Sequence, residues 1–281
     1  METTAPTLAR RLGLGEQARA VILNCDDLGS SHAANLAILD AMTRGVASSA
    51  TLMVPCPWAF EAVGMLAGHD LGVHLTLTAE YPGYRWRSLT GAASLHDAQG
   101  FLPATAAEVW ARADLDDVRR ECRAQIDQAL TWGVDVTHLD SHMGTLQIDP
   151  RYYEIYVALG AEYRLPLRMA GPSAERRLGF PVHAPARDAG IVFTDDFTFH
   201  WGDSTAELLR RQLPTLAAGV TEFIFHPVLD GPELRGYDLA AAQVRVDDHA
   251  CAVDPSIADL LAAHDIRTLS FRPLRDLQRA A

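Results

Sequence analysis

The sequence has few cysteines, no cluster of basic residues and no long apolar run, and each shortage removes a class of protein. Its 281 residues include four cysteines, Cys25, Cys56, Cys122 and Cys251. They are scattered, with no C-x-x-C pair, so neither a thiolate zinc site nor a disulfide framework is expected. Free thiols in a reducing compartment are the simplest reading, and a cytoplasmic location is expected. The formal net charge is -12. Nucleic-acid backbones and anionic membranes select for clustered Lys and Arg, so neither is an expected partner. No stretch approaches the length of a membrane span. Residues 1–19 form a polar lead-in without the apolar segment of a secretory signal. Repeats, low-complexity tracts and linkers are also missing, which leaves residues 1–281 as one expected domain; the sequence leaves a homodimer open. What is present is a globular composition, 48% hydrophobic and 21% charged, with enough apolar surface to exclude disorder.

The periodicity alternates. Ala20–Cys25 is a short apolar run that reads as a buried strand, and residues 31–44 carry helical spacing up to Gly45. Strands are expected over 46–54, 71–78, 136–142, 165–169, 191–193, 221–226 and 267–270. Helices are expected over 58–67, 106–131, 152–163, 206–218 and 257–263, and 171–190 reads as irregular. Strands alternating with helices predict a parallel α/β fold. About seven of them favour a closed barrel over an open sheet. Residues 80–103, rich in Gly, Pro, Tyr, Trp and Arg, are too long for an ordinary connection and read as an insert lining a substrate site.

In parallel barrels the chemistry sits at the C-terminal strand ends. The first strand runs into Asp26-Asp27, the third carries His74, the fourth carries His138, Asp140 and His142, and a late strand ends in His226. Strand residues two apart share a face, so His138, Asp140 and His142 can point at one site if the strand runs through His142. Structural readings stand beside each of these. Asp140 and Ser141 can cap a turn, Asp27 or Ser30 can cap the following helix, and a lone histidine in an apolar strand is commonly a satisfied core residue. Asp195-Asp196 reads as a solvated loop or lid feature. His32, His69, His96, His183, His200, His249 and His264 are given no role.

Five segments, in order, carry a family resemblance: Asn24-Cys25-Asp26-Asp27-Leu28-Gly29, Ser48 to Met53, Gly72 to Thr78, His138-Leu139-Asp140-Ser141-His142 and His226-Pro227. Over about residues 20 to 275 the chain resembles the YdjC-like (ChbG/HpnK) carbohydrate deacetylases. The resemblance implies a deformed (β/α) barrel related to the NodB-like polysaccharide deacetylases, and a divalent metal, zinc or magnesium foremost, held by Asp27, His74 and His142. It implies Asp26 as general base, His226 as general acid, and His138 and Asp140 as groups that orient the ligands. Arg164 or Arg168 would orient or tune the site. Tyr81, Tyr84 and Trp86 are candidates to stack on sugar rings, and Arg168 to touch the substrate. The implied activity is removal of an N-acetyl group from an amino sugar or acetylated carbohydrate. Another amide or ester hydrolysed on the same scaffold, or a non-catalytic sugar-binding protein, are the alternatives. Met143-Gly144-Thr145 follow the fourth segment where many members have further histidines, and Leu28 stands where Phe is common.

Overall fold

The computed structural model describes residues 7–199, 201–202 and 204–280; His200 and the first six residues of the lead-in lie outside them. Seven strands run parallel: β1 (Arg19–Leu28), β2 (Ser49–Leu52), β3 (Leu71–Leu75), β4 (Val136–Ser141), β5 (Asp196–Thr198), β6 (Gly219–Phe225) and β7 (Ile266–Leu269). Their order is β4-β3-β2-β1-β6-β5. Strand β7 pairs with the first half of β1, Arg19 to Ile22, and β2 with the second half, Asn24 to Leu28. Nine of the ten β1 residues are buried, as expected of a central strand covered on both faces.

The sheet curls, and isolated backbone bonds complete the ring between β4 and β6. Leu139 pairs with Leu167, Leu167 N donates to Val192 O at 3.2 Å, and Asp195 N donates to Val220 O at 2.9 Å. The segments 165–169 and 191–193, expected as strands, therefore close the barrel without forming ladders, and the ladder strand of this region is β5. The fold is the expected deformed parallel α/β barrel. Among the described residues no helix is long and apolar enough to cross a membrane.

Several local expectations change. The helix expected over 106–131 is two helices, Ala106–Arg112 and Leu115–Thr131. Ala113 is extended between them, and the Asp114 carboxylate caps the second by accepting from Asp116 N and Asp117 N. Residues 171–190 contain the short helices Pro172–Leu178 and His183–Asp188, and Pro232–Tyr237, Ala242–Ala252 and Arg272–Ala280 are further helices. The lead-in is not merely polar: the helix Leu8–Arg11 buries Leu8 and Ala9 beneath the barrel against Ala20, Ile22, Val220 and Phe271. Asp195 holds it there, accepting from Leu8 N at 3.0 Å and from Val220 N at 2.8 Å, so it is a structural clamp and not the solvated loop or lid residue expected.

Candidate active site

The two adjacent carboxylates of β1 reach one cavity because the strand bulges there. Cys25 pairs with Ala50 and Leu28 with Leu52, so Asp26 and Asp27 together oppose one residue of β2. Asp27 absorbs the bulge at φ 64, in the left-handed region that Asp tolerates better than most residues. In β3 and β4, His74 and Asp140 are directly paired across the sheet. Strand β4 ends at Ser141, and His142 begins a 3-10 turn that swings its ring back over the strand ends.

Three donor atoms converge. Asp27 Oδ1 lies 3.4 Å from His74 Nε2 and 3.2 Å from His142 Nδ1, and the two nitrogens are 3.3 Å apart. All three residues are buried. Asp27 Oδ1 has no hydrogen-bond partner of proper geometry, a costly state for a buried carboxylate oxygen. Tetrahedral ligands with bonds of about 2.0–2.1 Å stand roughly 3.3–3.4 Å from one another. Two imidazoles and one carboxylate at this spacing, with an otherwise orphaned oxygen, fit a divalent metal ion.

Each of the three is held from behind. The Asp140 carboxylate accepts from His74 Nδ1 at 2.7 Å. Glu80 meets His142 Nε2 at 3.0 and 3.1 Å. Arg245 NH1 donates to Asp27 Oδ2 at 2.9 Å, while its other nitrogens donate to Asp238 and to Tyr81 Oη. Burial would lower both imidazole pKa values, yet Asp140, Asp27 and Asp26 hold His74 at about 10, and Glu80 and Asp27 hold His142 at about 9. Burial would raise the Asp27 carboxyl, but His142, His74 and Arg245 keep it well below the usual range.

Beside this triangle Arg168 is the hub of a second network. Its guanidinium forks onto Asp26, with both bonds at 2.7 Å; NH1 also lies 2.7 Å from Asp140 Oδ2, and Nε donates to Glu222 at 2.8 Å. Asn24 Nδ2 donates to Asp26 Oδ1 at 2.8 Å. Burial alone would raise the Asp26 carboxyl, but Arg168 above all holds it at about 2. The guanidinium fills the space between Asp26 and Asp140, so the second cluster of possible donors there, Asp26, His74 and Asp140, already has its cation. His226 Nε2 stands 3.9 Å from Asp26 Oδ2, and its backbone N–H donates to Asp248 at 2.7 Å.

The sequence candidates separate accordingly. Asp26, Asp27, His74, His142, Arg168 and His226 all line one cavity of about 610 Å³, with Asp140 behind His74. His138 is elsewhere: β4 bulges near it, its Nδ1 bonds Thr137, and its ring stacks on Phe271 at 3.6 Å. It touches no candidate ligand, whereas Asp140 bonds His74 Nδ1. Arg164 is exposed and directs its guanidinium to Arg279 O. Of the insert aromatics, Tyr81 reaches the cavity, while Tyr84 Oη donates to Ser30 O and Trp86 Nε1 to Thr78 O. These two rings pack with Tyr81 and Tyr237, tie the insert down and do not line the cavity. The aromatic cavity wall is instead Phe197, Phe199 and Trp201, the last two flanking His226 at 5.3 and 5.0 Å.

Glu80, Glu222, Arg245 and Asp248 escaped the sequence reading. A carboxylate inside the apolar run Thr221–Phe225 carries the same signal that marked Asp26, so Glu222 was findable. Arg245 lies on a helix with no pattern to distinguish it.

Fold and floor together define a parallel α/β barrel with a buried two-histidine, one-aspartate constellation at the C-terminal ends of its strands. The chain belongs to the YdjC-like protein family, whose model matches residues 20–263. It is 41% identical over 277 residues to a carbohydrate deacetylase of Thermus thermophilus, covering 96% of this chain and 98% of that protein. To a carbohydrate deacetylase of Geobacillus stearothermophilus it is 30% identical over 260 residues, covering 90% and 97%. Among solved structures, a proposed cellobiose-phosphate cleavage protein of Enterococcus faecalis shares the fold, with a TM-score of 0.80 at 22% identity over 92% of this chain and 99% of that one.

Proposed function

We propose that this chain is a metal-dependent hydrolase that removes an N-acetyl group from an amino sugar. The observation that carries the reading is the convergence of Asp27 Oδ1, His74 Nε2 and His142 Nδ1 on one point, beside Asp26 and His226 in the same cavity. The relatives named carbohydrate deacetylases, similar along nearly their whole length, supply the substrate class. A cavity of about 610 Å³ is of the size that encloses a small molecule.

Asp27, His74 and His142 would hold the ion. A divalent ion at such a site supplies a Lewis acid for the acetamide carbonyl and brings the acidity of the attacking water toward neutrality, which a carboxylate as weakly basic as Asp26 requires. Held at about 2 by Arg168, Asp26 is ionised at neutral pH, and the Arg168 fork fixes its plane. Its Oδ2 retains lone-pair capacity toward the cavity for the proton of the attacking water. His226, flanked by Phe199 and Trp201, protonates the departing amine. Tyr81, Phe197, Phe199 and Trp201 present flat apolar faces to the sugar.

The test is Asp26→Asn, assayed by acetate release from N-acetylated mono- and disaccharides, with metal content measured on the same sample. Release should fall by about 10²–10⁴ with metal retained. Turnover near that of the unmodified protein would remove Asp26 from the chemistry.

A further inference from the structure

The three candidate ligands are not supported equally. His74 is a strand residue, and Asp27, though bulged, lies within β1. Behind them Asp140 and Arg245 are themselves buried and multiply bonded. His142 lies past the end of β4 in a short turn, and Met143 after it sits at φ 52. Its ring has one polar anchor on the side away from the other ligands, Glu80, which comes from the segment after β3 and is 21% exposed at the cavity wall.

An imidazole offers one lone pair when neutral, and the partner of the other nitrogen decides which atom carries it. With Asp140 accepting from its Nδ1, a neutral His74 presents its Nε2 lone pair to the triangle. Glu80 acts on the opposite nitrogen. We propose that Glu80 is the positioning residue of the candidate metal centre, accepting the Nε2 proton of His142 so that its Nδ1 lone pair faces Asp27 Oδ1 and His74 Nε2. The two histidines then bind through different nitrogens, each backed by a carboxylate. Glu80 cannot serve as a ligand in this arrangement, because it meets the far side of the ring from Nδ1. The inference rests on reading the triad as a metal site and goes beyond it, assigning a role to a residue of the 80–103 insert.

The test compares the unmodified protein with Glu80→Gln and Glu80→Ala after chelator treatment, each titrated with Zn²⁺ by calorimetry. Histidine ¹⁵N NMR of the Zn²⁺-loaded proteins reports which ring nitrogen carries the proton. Glu80→Ala should weaken Zn²⁺ binding by about 10–100-fold. The near-isosteric Glu80→Gln should weaken it less, since its amide oxygen still accepts from Nε2. In the unmodified protein the His142 proton should sit on Nε2, a placement that a merely structural role for Glu80 would not fix. Zn²⁺ binding within twofold in Glu80→Ala, or a His142 proton on Nδ1, would overturn the proposal while leaving the triad as a metal site. Failure of the unmodified protein to take up any divalent metal would overturn both.

Discussion

Glu222 lies fully buried under the site with one oxygen bonded to Arg168 and the other, Oε2, without a partner. Burial pushes its pKa up to about 7; Arg168 opposes this, while Asp26 and Asp140, which share the same guanidinium, add to it. The sign follows from linkage. A carboxyl whose folded pKa exceeds its unfolded value of about 4.5 binds its proton more tightly when folded. The cost of ionising it is absent below about pH 4.5, grows up to about pH 7 and is constant above. At ~1.4 kcal/mol per pH unit the gap is worth roughly 3 kcal/mol at its ceiling. Glu222→Gln keeps an acceptor for Arg168 Nε and never ionises. Its stability relative to the unmodified protein should therefore rise by about 2 to 3 kcal/mol between pH 5 and pH 8.5. At ~2 °C per kcal/mol for a chain of this size, that is a relative gain of about 5 °C. Denaturant and thermal unfolding of both proteins at the two pH values measure it, and groups common to both cancel. A stability difference that does not change with pH, or that falls as pH rises, would refute the reasoning.

Arg168→Met should leave Asp26 and Asp140 buried without their cation and cost about 3–5 kcal/mol, read as a fall in melting temperature; a change under about 2 °C would contradict the hub assignment. Gly29 sits at φ +89, and a Cβ there would meet the Ala59 backbone at 2.8 Å, whereas Gly15 at φ +97 has open space around it. Gly15→Ala should therefore cost only the conformational ~1–2 kcal/mol, and Gly29→Ala distinctly more. Equal losses in thermal unfolding would show that the close approach to Ala59 is not a constraint.

The barrel was legible because its central strands are apolar runs punctuated by Gly and Pro, and the chemistry because polar residues break those runs at their ends. Asp26, Asp27 and His74 come together from β1 and β3 as their strand positions implied, whereas His142 reaches them from the turn after β4 and not from the strand expected to run through it. His138 did not follow, because a bulge in β4 breaks the two-residue alternation that grouped it with Asp140 and His142. Bulges leave no reliable mark in a sequence. Arg245 and Glu80 were not legible, since nothing local to a helix or an insert says that it folds back 218 residues in the one case, or 62 in the other, to reach a ligand. The aromatic wall was misplaced for a similar reason. Tyr84 and Trp86 looked available, but their hydroxyl and indole N–H find backbone carbonyls and draw the rings into packing.

The central claim is a metal ion at Asp27, His74 and His142 serving N-deacetylation. Acetate release from N-acetylated sugars, followed on one preparation as purified, after chelation and after stoichiometric return of divalent metal, tests this most directly. Activity should disappear on chelation and return with metal, and metal should not restore it in Asp27→Ala. Acetate release indifferent to chelation, or preserved in Asp27→Ala, would contradict it.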